Sequence, residues 1–371
     1  MDEKKEKLSA EERYYTATQW QLMWRKFKKH KLAIIGAIIL GIFYVLAIFC
    51  EFFSPYDTRK YFSDYAYSPP QRVRFFSEKG KFRLRPFVYG MKKELDPVSW
   101  EWIWTEDKTK RYPIRLFVHG DKYKLWNLIK TDIHLFGVEE PGVIFLFGTD
   151  KLGRDLFSRS IYASRISLSV GLIGVAISFV LGCILGGISG YFGGAADMII
   201  QRVIEFLICI PTIPLWMALS AALPENWSSI RVYFVITLIL SLVGWCGLAR
   251  DVRSKLLALR EEDFAMAAKI AGATDGRIII RHLLPSFLSY LIVSLTLSVP
   301  YMILGETSLS FLGLGLRPPV VSWGVLLKEA QNVQTVALHP WLLIPGVFVI
   351  VTVLTFNFLG DGLRDAADPY K

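Results

Sequence analysis

Charge is missing from long stretches of this chain. Asp, Glu, Lys and Arg make up 20% of its 371 residues against 53% hydrophobic residues, which excludes an ordinary soluble globular protein. Cysteine is scarce. Cys50, Cys183, Cys209 and Cys246 each lie in or beside an apolar run, which excludes a disulfide framework or zinc knuckle and leaves them as small hydrophobes. The five histidines, His30, His119, His134, His282 and His339, lack the spacing of metal ligands. No Gly-x-x-x-x-Gly-Lys-[Ser/Thr] cradle occurs, so the chain cannot supply its own ATP hydrolysis. Gly-x-Ser-x-Gly, His-Glu-x-x-His and the dinucleotide fingerprint are absent too. The first apolar run starts near Leu32, behind a tail too long and polar for a signal peptide, and reads as a retained span. The formal charge of +10 reflects basic residues flanking apolar spans rather than a nucleic-acid surface.

What is present is a series of membrane-length runs. A hydrocarbon core of ~30 Å takes roughly 20 helical residues, and six segments qualify: 32–53, 166–188, 204–223, 232–249, 287–305 and 341–359. The third holds Pro211 and Pro214, for which a kink rather than a break is expected. The fifth holds Pro300 near its outer end. Gly171, Gly174, Gly182, Gly186 and Gly187 give the second span the small surface that lets helices approach closely in lipid. Lys and Arg crowd the tail 1–31 and the loop 250–285, whereas the connection 224–231 offers only Arg231. This bias makes both termini and loop 250–285 cytoplasmic and the insertion 54–147 extracytoplasmic. In the tail, Trp20, Met23, Trp24 and Phe27 form one apolar face beside Arg25, Lys26, Lys28 and Lys29, downstream of a capping-box pattern at Ser9 to Glu12. Such a helix lies in the membrane interface or packs on another subunit. The insertion carries Trp100, Trp102, Trp104 and Trp126. Alternating residues after Lys81 and Ile114, and an echo of Arg85-Pro-Phe-Val-Tyr-Gly90 in Arg115-Leu-Phe-Val-His-Gly120, predict a small β-rich lobe.

The most informative stretch is 261–285. Ala267, Ala268 and Ala271 give a narrow helix able to enter a cleft. Gly272 is suited to end it with positive φ, and Pro285 starts the next span where no N–H partner is needed. Ala267-Ala268, Gly272 and Leu284-Pro285 stand at the spacing of the loop that docks permeases of ATP-binding cassette (ABC) importers on their ATPase. Met266 stands where the family usually has Glu, and His282 where it has Ile. Three more segments extend the likeness. They are Gly148-Thr-Asp-Lys-Leu-Gly-Arg-Asp155 with Ser158, Arg159 and Arg165; Tyr191-Phe-Gly-Gly194 with Asp197 and Arg202; and Gly305-Glu-Thr-Ser-Leu-Ser-Phe-Leu-Gly-Leu-Gly315 with Pro318, Pro319 and Ser322-Trp323-Gly324. With Gln21-Leu-Met-Trp24, the whole resembles the C-type permease subunit of the dipeptide/oligopeptide/nickel group of ABC importers. The insertion is longer than is common in that group.

The resemblance implies an all-α polytopic permease of six transmembrane helices, the type I importer fold, with a β-containing extracytoplasmic lobe. It implies a non-enzymatic subunit in the cell membrane with no cofactor of its own, ATP and Mg being bound by partner ATPases. The implied partners are a homologous second permease, two ATPase subunits and an extracytoplasmic solute-binding protein. The implied solute is a di- or oligopeptide, with oligosaccharides or nickel as alternatives. An ion-coupled secondary transporter or a membrane sensor remains the rival of a different class; acidic or His residues at mid-span and inverted repeats, the marks of the former, are not seen. Glu262, Phe264, Ala267, Ala268, Gly272, Ala273, Arg281 and Pro285 are the candidate ATPase-coupling residues. Asp150, Arg154, Asp155 and Arg159 alternate in sign, either as ion pairs holding a short interfacial helix or as a solvated turn; with Gly148, Thr149, Gly153 and Ser158 they form the family-motif set. Candidates for the substrate path are Glu306, which alternatively caps the Ser308 or Leu309 amide, Ser308 itself, and Asn357, which faces protein or pore rather than lipid. Glu205 is expected to pair with Arg202.

Overall fold

The computed structural model describes residues 19–76, 82–95, 97, 100, 102–126, 128–224 and 226–367. The capping-box segment at 9–12, residues 14–18 and the side chain of Trp20 lie outside the described residues. Helix α1 (Gln19–Phe27) turns Met23 and Phe27 inward. Phe27 packs with Ala33 and Ala366 of the same chain, while Trp24 stays exposed and stacks on Phe27. Helix α2 (Lys31–Ile48) starts at a cap in which His30 Nδ1 accepts the Ala33 N–H at 3.1 Å. Its far end is closed by Arg165, which donates to the Ala47 and Ile48 carbonyls at 2.9 and 2.8 Å and forks onto Glu51. A cation placed there satisfies carbonyls that have lost their helical partners.

Among the described residues the insertion forms five strands. β1 (Arg74–Phe76), β2 (Phe82–Leu95) and β3 (Trp102–Pro113) make an antiparallel sheet, and β4 (Arg115–Leu125) pairs with β5 (Ile129–Gly137). The echoed hexapeptides lie in β2 and β4, each of which pairs antiparallel with the strand that follows it. The register slips at Tyr89/Gly90 in one and between His119 and Tyr123 in the other, so the likeness is one of structure as well as of letters. Phe87, Val88 and Tyr89 are buried, and Tyr65 stacks on Trp104 with centroids 5.7 Å apart. The lobe is tied to the bundle by Trp126 Nε1, which donates to the Ile48 carbonyl at 2.9 Å, and by buried His134 against the Ser54 carbonyl at 2.5 Å.

The remaining long helices are α3 (Leu156–Phe192), α4 (Gly194–Cys209), α5 (Thr212–Ala221), α6 (Ser229–Leu259), α9 (Leu288–Phe311) and α12 (Ile344–Ala367), with α7 (Asp263–Ile270), α8 (Asp275–Ile278), α10 (Trp323–Leu327) and α11 (Val333–Leu338) between them. Among the described residues five helices are long and apolar enough to cross a membrane, or six if α4 and α5 count as one span. The kink expected at 204–223 is instead a break: α4 and α5 meet at 84°. Ile210 is extended (φ −86°, ψ 125°), as a residue before proline prefers. Pro214 then sits in the first turn of α5, where its missing N–H costs nothing. Pro300 lies within α9 and the helix continues past it. α3 has 37 residues, well beyond the expected 166–188, and at 1.5 Å per residue spans roughly 55 Å.

The most extensive helix pair is α3 with α6. Gly186 and Gly190 make it possible. A Cβ at Gly186 would stand 2.5 Å from the Ala249 carbonyl oxygen, and one at Gly190 2.7 Å from that of Arg253. α12 packs on α2 and α9. The main core gathers Leu168, Ile236, Leu240, Ile303, Trp323 and Phe356 from five of these helices.

Candidate functional site

The loop between α6 and α9 is a compact knob seated on its own small core. Val252, Leu256, Ala265, Ile278, Leu283, Phe287 and Leu291 are buried together, with Ala268 and Ala273 half-buried against them. α7 ends in a Schellman turn: the Gly272 N–H bonds to Lys269 O at 3.0 Å and the Ala273 N–H to Ala268 O at 3.1 Å. Gly272 has φ +81°, the left-handed conformation that favours glycine. α8 passes into a wider turn, in which the Leu284 N–H reaches the Ile279 carbonyl, before Pro285.

The knob shows unusual apolar surface for a polar segment. Ile270 is 85% and Ile280 70% exposed, and Phe264 and Met266 are exposed beside them. Glu262, Ala267, Ala271, Arg281 and Pro285 are also exposed, and His282 is half-buried. The candidate residues therefore divide. Phe264, Ala267, Gly272 and Arg281 present an outer surface, whereas Ala268 and Ala273 face inward. Glu262 occupies the N-cap position of α7 but makes no side-chain cap bond.

The knob is fastened by residues whose role the sequence did not reveal. Arg260 Nη1 donates to the Tyr191 carbonyl at 3.1 Å at the end of α3, and the Tyr191 hydroxyl donates to Asp275 at 2.9 Å. Arg253 forks onto Asp197 at 2.5 and 2.6 Å, and Ser189 adds a hydroxyl to the same carboxylate. Gly193 and Gly194, with φ of +67° and +56°, make the turn that brings Asp197 back under α6. Arg202 pairs with Glu205 at 2.7 Å in the open.

At the opposite end of the bundle the family-motif residues form a buried knot. Gly153 has φ +73°, and a Cβ there would fall 1.9 Å from the Phe62 carbonyl oxygen. Asp150 is 1% exposed. It accepts the amides of Leu152 and Arg154, the Arg154 side chain at 2.6 Å, and the Arg159 guanidinium. Arg154 continues to Glu329 at 3.2 Å. Burial pushes the Glu329 carboxyl up, against the opposing pull of Arg159 and Arg154. Thr149 Oγ1 accepts the Ser68 amide at 2.8 Å, and Gly148 (φ +75°) lies against Trp341. The sign alternation thus resolves into a buried ion-pair cluster, not a solvated turn, and among the described residues no short helix stands between β5 and α3. Asp155 belongs to a different task. It caps α3, accepting the Ser158 amide at 2.8 Å and hydroxyl at 2.6 Å. Burial raises its carboxyl to about 7.

Glu306 is fully buried inside α9. Its carboxyl oxygens accept hydroxyls from Ser310 and Ser322 at 2.7 Å and Ser167 at 3.2 Å, and not the Ser308 or Leu309 amide. Each serine oxygen in turn accepts one amide N–H, from Leu316, Val325 and Trp323 respectively. Ser308 and Asn357 are half-buried. Among the described residues no group of three or more His, Cys, Asp or Glu is placed to hold a metal.

Residues 178–370 match the family described as the binding-protein-dependent transport system inner membrane component, and residues 18–70 match the N-terminal transmembrane domain of oligopeptide transport permease C. The dipeptide transport system permease protein DppC of Lactococcus lactis is 33% identical over 94% of this chain and 90% of its own length. That of Alkalihalophilus pseudofirmus is 32% identical over 97% and 92%. The oligopeptide transport system permease protein OppC of Haemophilus influenzae is 43% identical over 60% of this chain and 70% of its own. A solved structure of the MetNI methionine ABC transporter in inward-facing conformations aligns with 57% of this chain and 97% of that chain, at 16% identity and a TM-score of 0.43. The chain belongs to the family of inner membrane components of binding-protein-dependent transport systems.

Proposed function

We propose that this chain is the membrane-spanning permease subunit of an ATP-driven importer of di- and oligopeptides. It works by alternating access with a homologous second permease, two ATPase subunits that bind ATP and Mg, and an extracytoplasmic solute-binding protein. The observation that carries the coupling role is the knob at 260–287, where Phe264, Met266, Ile270 and Ile280 are exposed on an otherwise charged loop. An apolar patch rimmed by polar residues suits a protein partner. The names of the relatives support the peptide class. The Lys/Arg asymmetry supports termini and knob in the cytoplasm and the lobe outside.

Mechanistically, closure of the ATPase pair on ATP displaces the knob, and α3 and α6 move with it through Tyr191, Asp275, Arg260 and the Arg253–Asp197 fork. The spans then open to the other side. Reconstitution tests the whole reading. Vesicles holding the chain with its companion subunits and binding protein accumulate labelled tri-alanine only when ATP is supplied on the knob side. ATP-dependent uptake of an oligosaccharide or nickel with no peptide uptake would replace the peptide assignment. Uptake driven by an ion gradient without ATP would replace the class.

A further inference from the structure

We propose that the face of α9 running from Tyr290 to Tyr301 is a wall of the solute passage, meeting the main chain of a peptide in water; this rests on the importer reading above. On α2 and α3 the outward faces are aliphatic. Ile35, Ile38 and Ile42 on α2, and Leu172, Val180 and Ile184 on α3, are exposed, as contact with acyl chains favours.

The face of α9 is different. Tyr290, Ser294, Ser298 and Tyr301 follow one another at intervals of four, four and three, and so share one side of the helix. With Leu297 and the exposed Arg364 of α12 they line a groove of about 680 Å³, the size of a small-ligand site.

Three occupants are conceivable for such a face, and the side chains discriminate among them. Tyr301 is 76% exposed. A tyrosine hydroxyl calls for a hydrogen-bond partner, which water in a groove supplies and acyl chains do not. Ser294 and Ser298 are small enough for a helix of a second subunit to approach, but the exposed Tyr290 and Tyr301 at either end of the face hold a straight helix off the groove between them.

A hydrated peptide fits both the volume and the chemistry. Hydroxyls donate and accept, as main-chain amides do, so such a wall grips the part common to all peptides and ignores their side chains. Ser298 already spends its proton on the Ser294 carbonyl at 2.7 Å, which leaves its oxygen free to accept a peptide N–H. Arg364 adds a cation suited to a carboxylate terminus.

The test uses the complete transporter carrying this chain without its native cysteines, with Ser294→Cys, Ser298→Cys or Tyr301→Cys introduced singly. Ile38→Cys and Val180→Cys serve as lipid-facing controls. A charged, water-borne thiosulfonate should modify the three groove positions at least about tenfold faster than the controls, because a thiol in hydrocarbon does not ionise. Tri-alanine supplied during ATP turnover should slow that reaction. Rates equal to the controls would overturn the proposal in favour of lipid. Disulfide formation with the second permease, without access of the reagent, would overturn it in favour of a packing seam. Rapid modification that the peptide leaves unchanged would overturn contact with solute. The importer reading is scored separately, by binding-protein-stimulated ATP hydrolysis of the cysteine-free complex. Its absence beside rapid modification would sink that reading while leaving the aqueous face intact.

Discussion

Ser322 donates its hydroxyl to Glu306 at 2.7 Å while its oxygen accepts the Val325 amide, the first turn of α10. One serine thus caps a short helix and hangs that helix on a buried carboxyl of α9. Ser310 and Ser167 repeat the arrangement toward Leu316 and Trp323, so Glu306 is the common acceptor for three segments.

Removing that acceptor strands three hydroxyls. Glu306→Ala is expected to destabilise the chain by roughly 3 kcal/mol or more, and Glu306→Gln by less, since its amide oxygen still accepts from Ser310 and Ser322. Thermal unfolding of the detergent-solubilised complex, followed by tryptophan emission, checks it, because buried Trp323 adjoins the hub. If Ala and Gln behave alike, the hub is not what fastens α10.

At Gly272 a Cβ would meet nothing within 4 Å, so any penalty there is backbone strain alone. A graded series follows. Gly272→Asn is nearly silent, Gly272→Ala costs about 1 kcal/mol locally, and Gly272→Val costs more. ATP-dependent uptake and co-purification of the ATPase should fall in that order. Equal uptake across the series would show that the Schellman turn does not set the docking surface.

Ala267→Arg is the matching test of the outer surface. Ala267 is exposed, whereas Ala268 is half-buried against the knob's own core. Ala267→Arg should leave folding intact, as most exposed substitutions do, and remove ATPase association, while Ala268→Arg should lower stability as well. Measuring unfolding and subunit retention side by side separates the two. Intact association with Ala267→Arg would dismiss the face.

The raised Asp155 carboxyl has a defined pH signature. Its folded value of about 7 lies above the ordinary 3.8, so the folded state holds the proton more tightly. Stability from this group is present in acid and is lost as pH rises through 7. Between about pH 5 and about pH 8 the wild type should lose on the order of 2 kcal/mol from this source. Asp155→Asn keeps a capping side chain and should flatten the loss. Denaturant midpoints at the two pH values decide it. A slope unchanged in Asp155→Asn would assign the pH effect elsewhere.

How much of this was legible beforehand depended on sequence distance. The apolar spans, the positive φ of Gly272 and the strands after Lys81 and Ile114 follow from local pattern, because each is decided by residues within a turn or two. Pro211 and Pro214 by themselves permit a kink or a break; the extended backbone of Ile210 makes it the 84° break. The Glu306 hub was out of reach. Its serines at 167, 310 and 322 stand on three elements, so the sequence shows a carboxyl suited to cap a nearby amide or to face a solute, and not the hydroxyls it holds. Gly190 completes the Gly182, Gly186 row at helical spacing, and that periodicity would have found it. Ala268 looked like part of the docking surface because the spacing of small residues marks a helix without saying which side turns outward.

The ties of Tyr191 to Asp275, and of Arg260 to the last carbonyls of α3, have a mechanical meaning. The knob is bolted to the tip of a rod roughly 55 Å long, whose other end begins at the Asp150–Arg154–Glu329 knot. A rod of that length pivoting about its middle by about 10° carries each tip ~5 Å, in opposite directions. Under the coupling proposed above, displacement of the knob would arrive at the far side with its sign reversed, one helix serving as the crossbar of a seesaw.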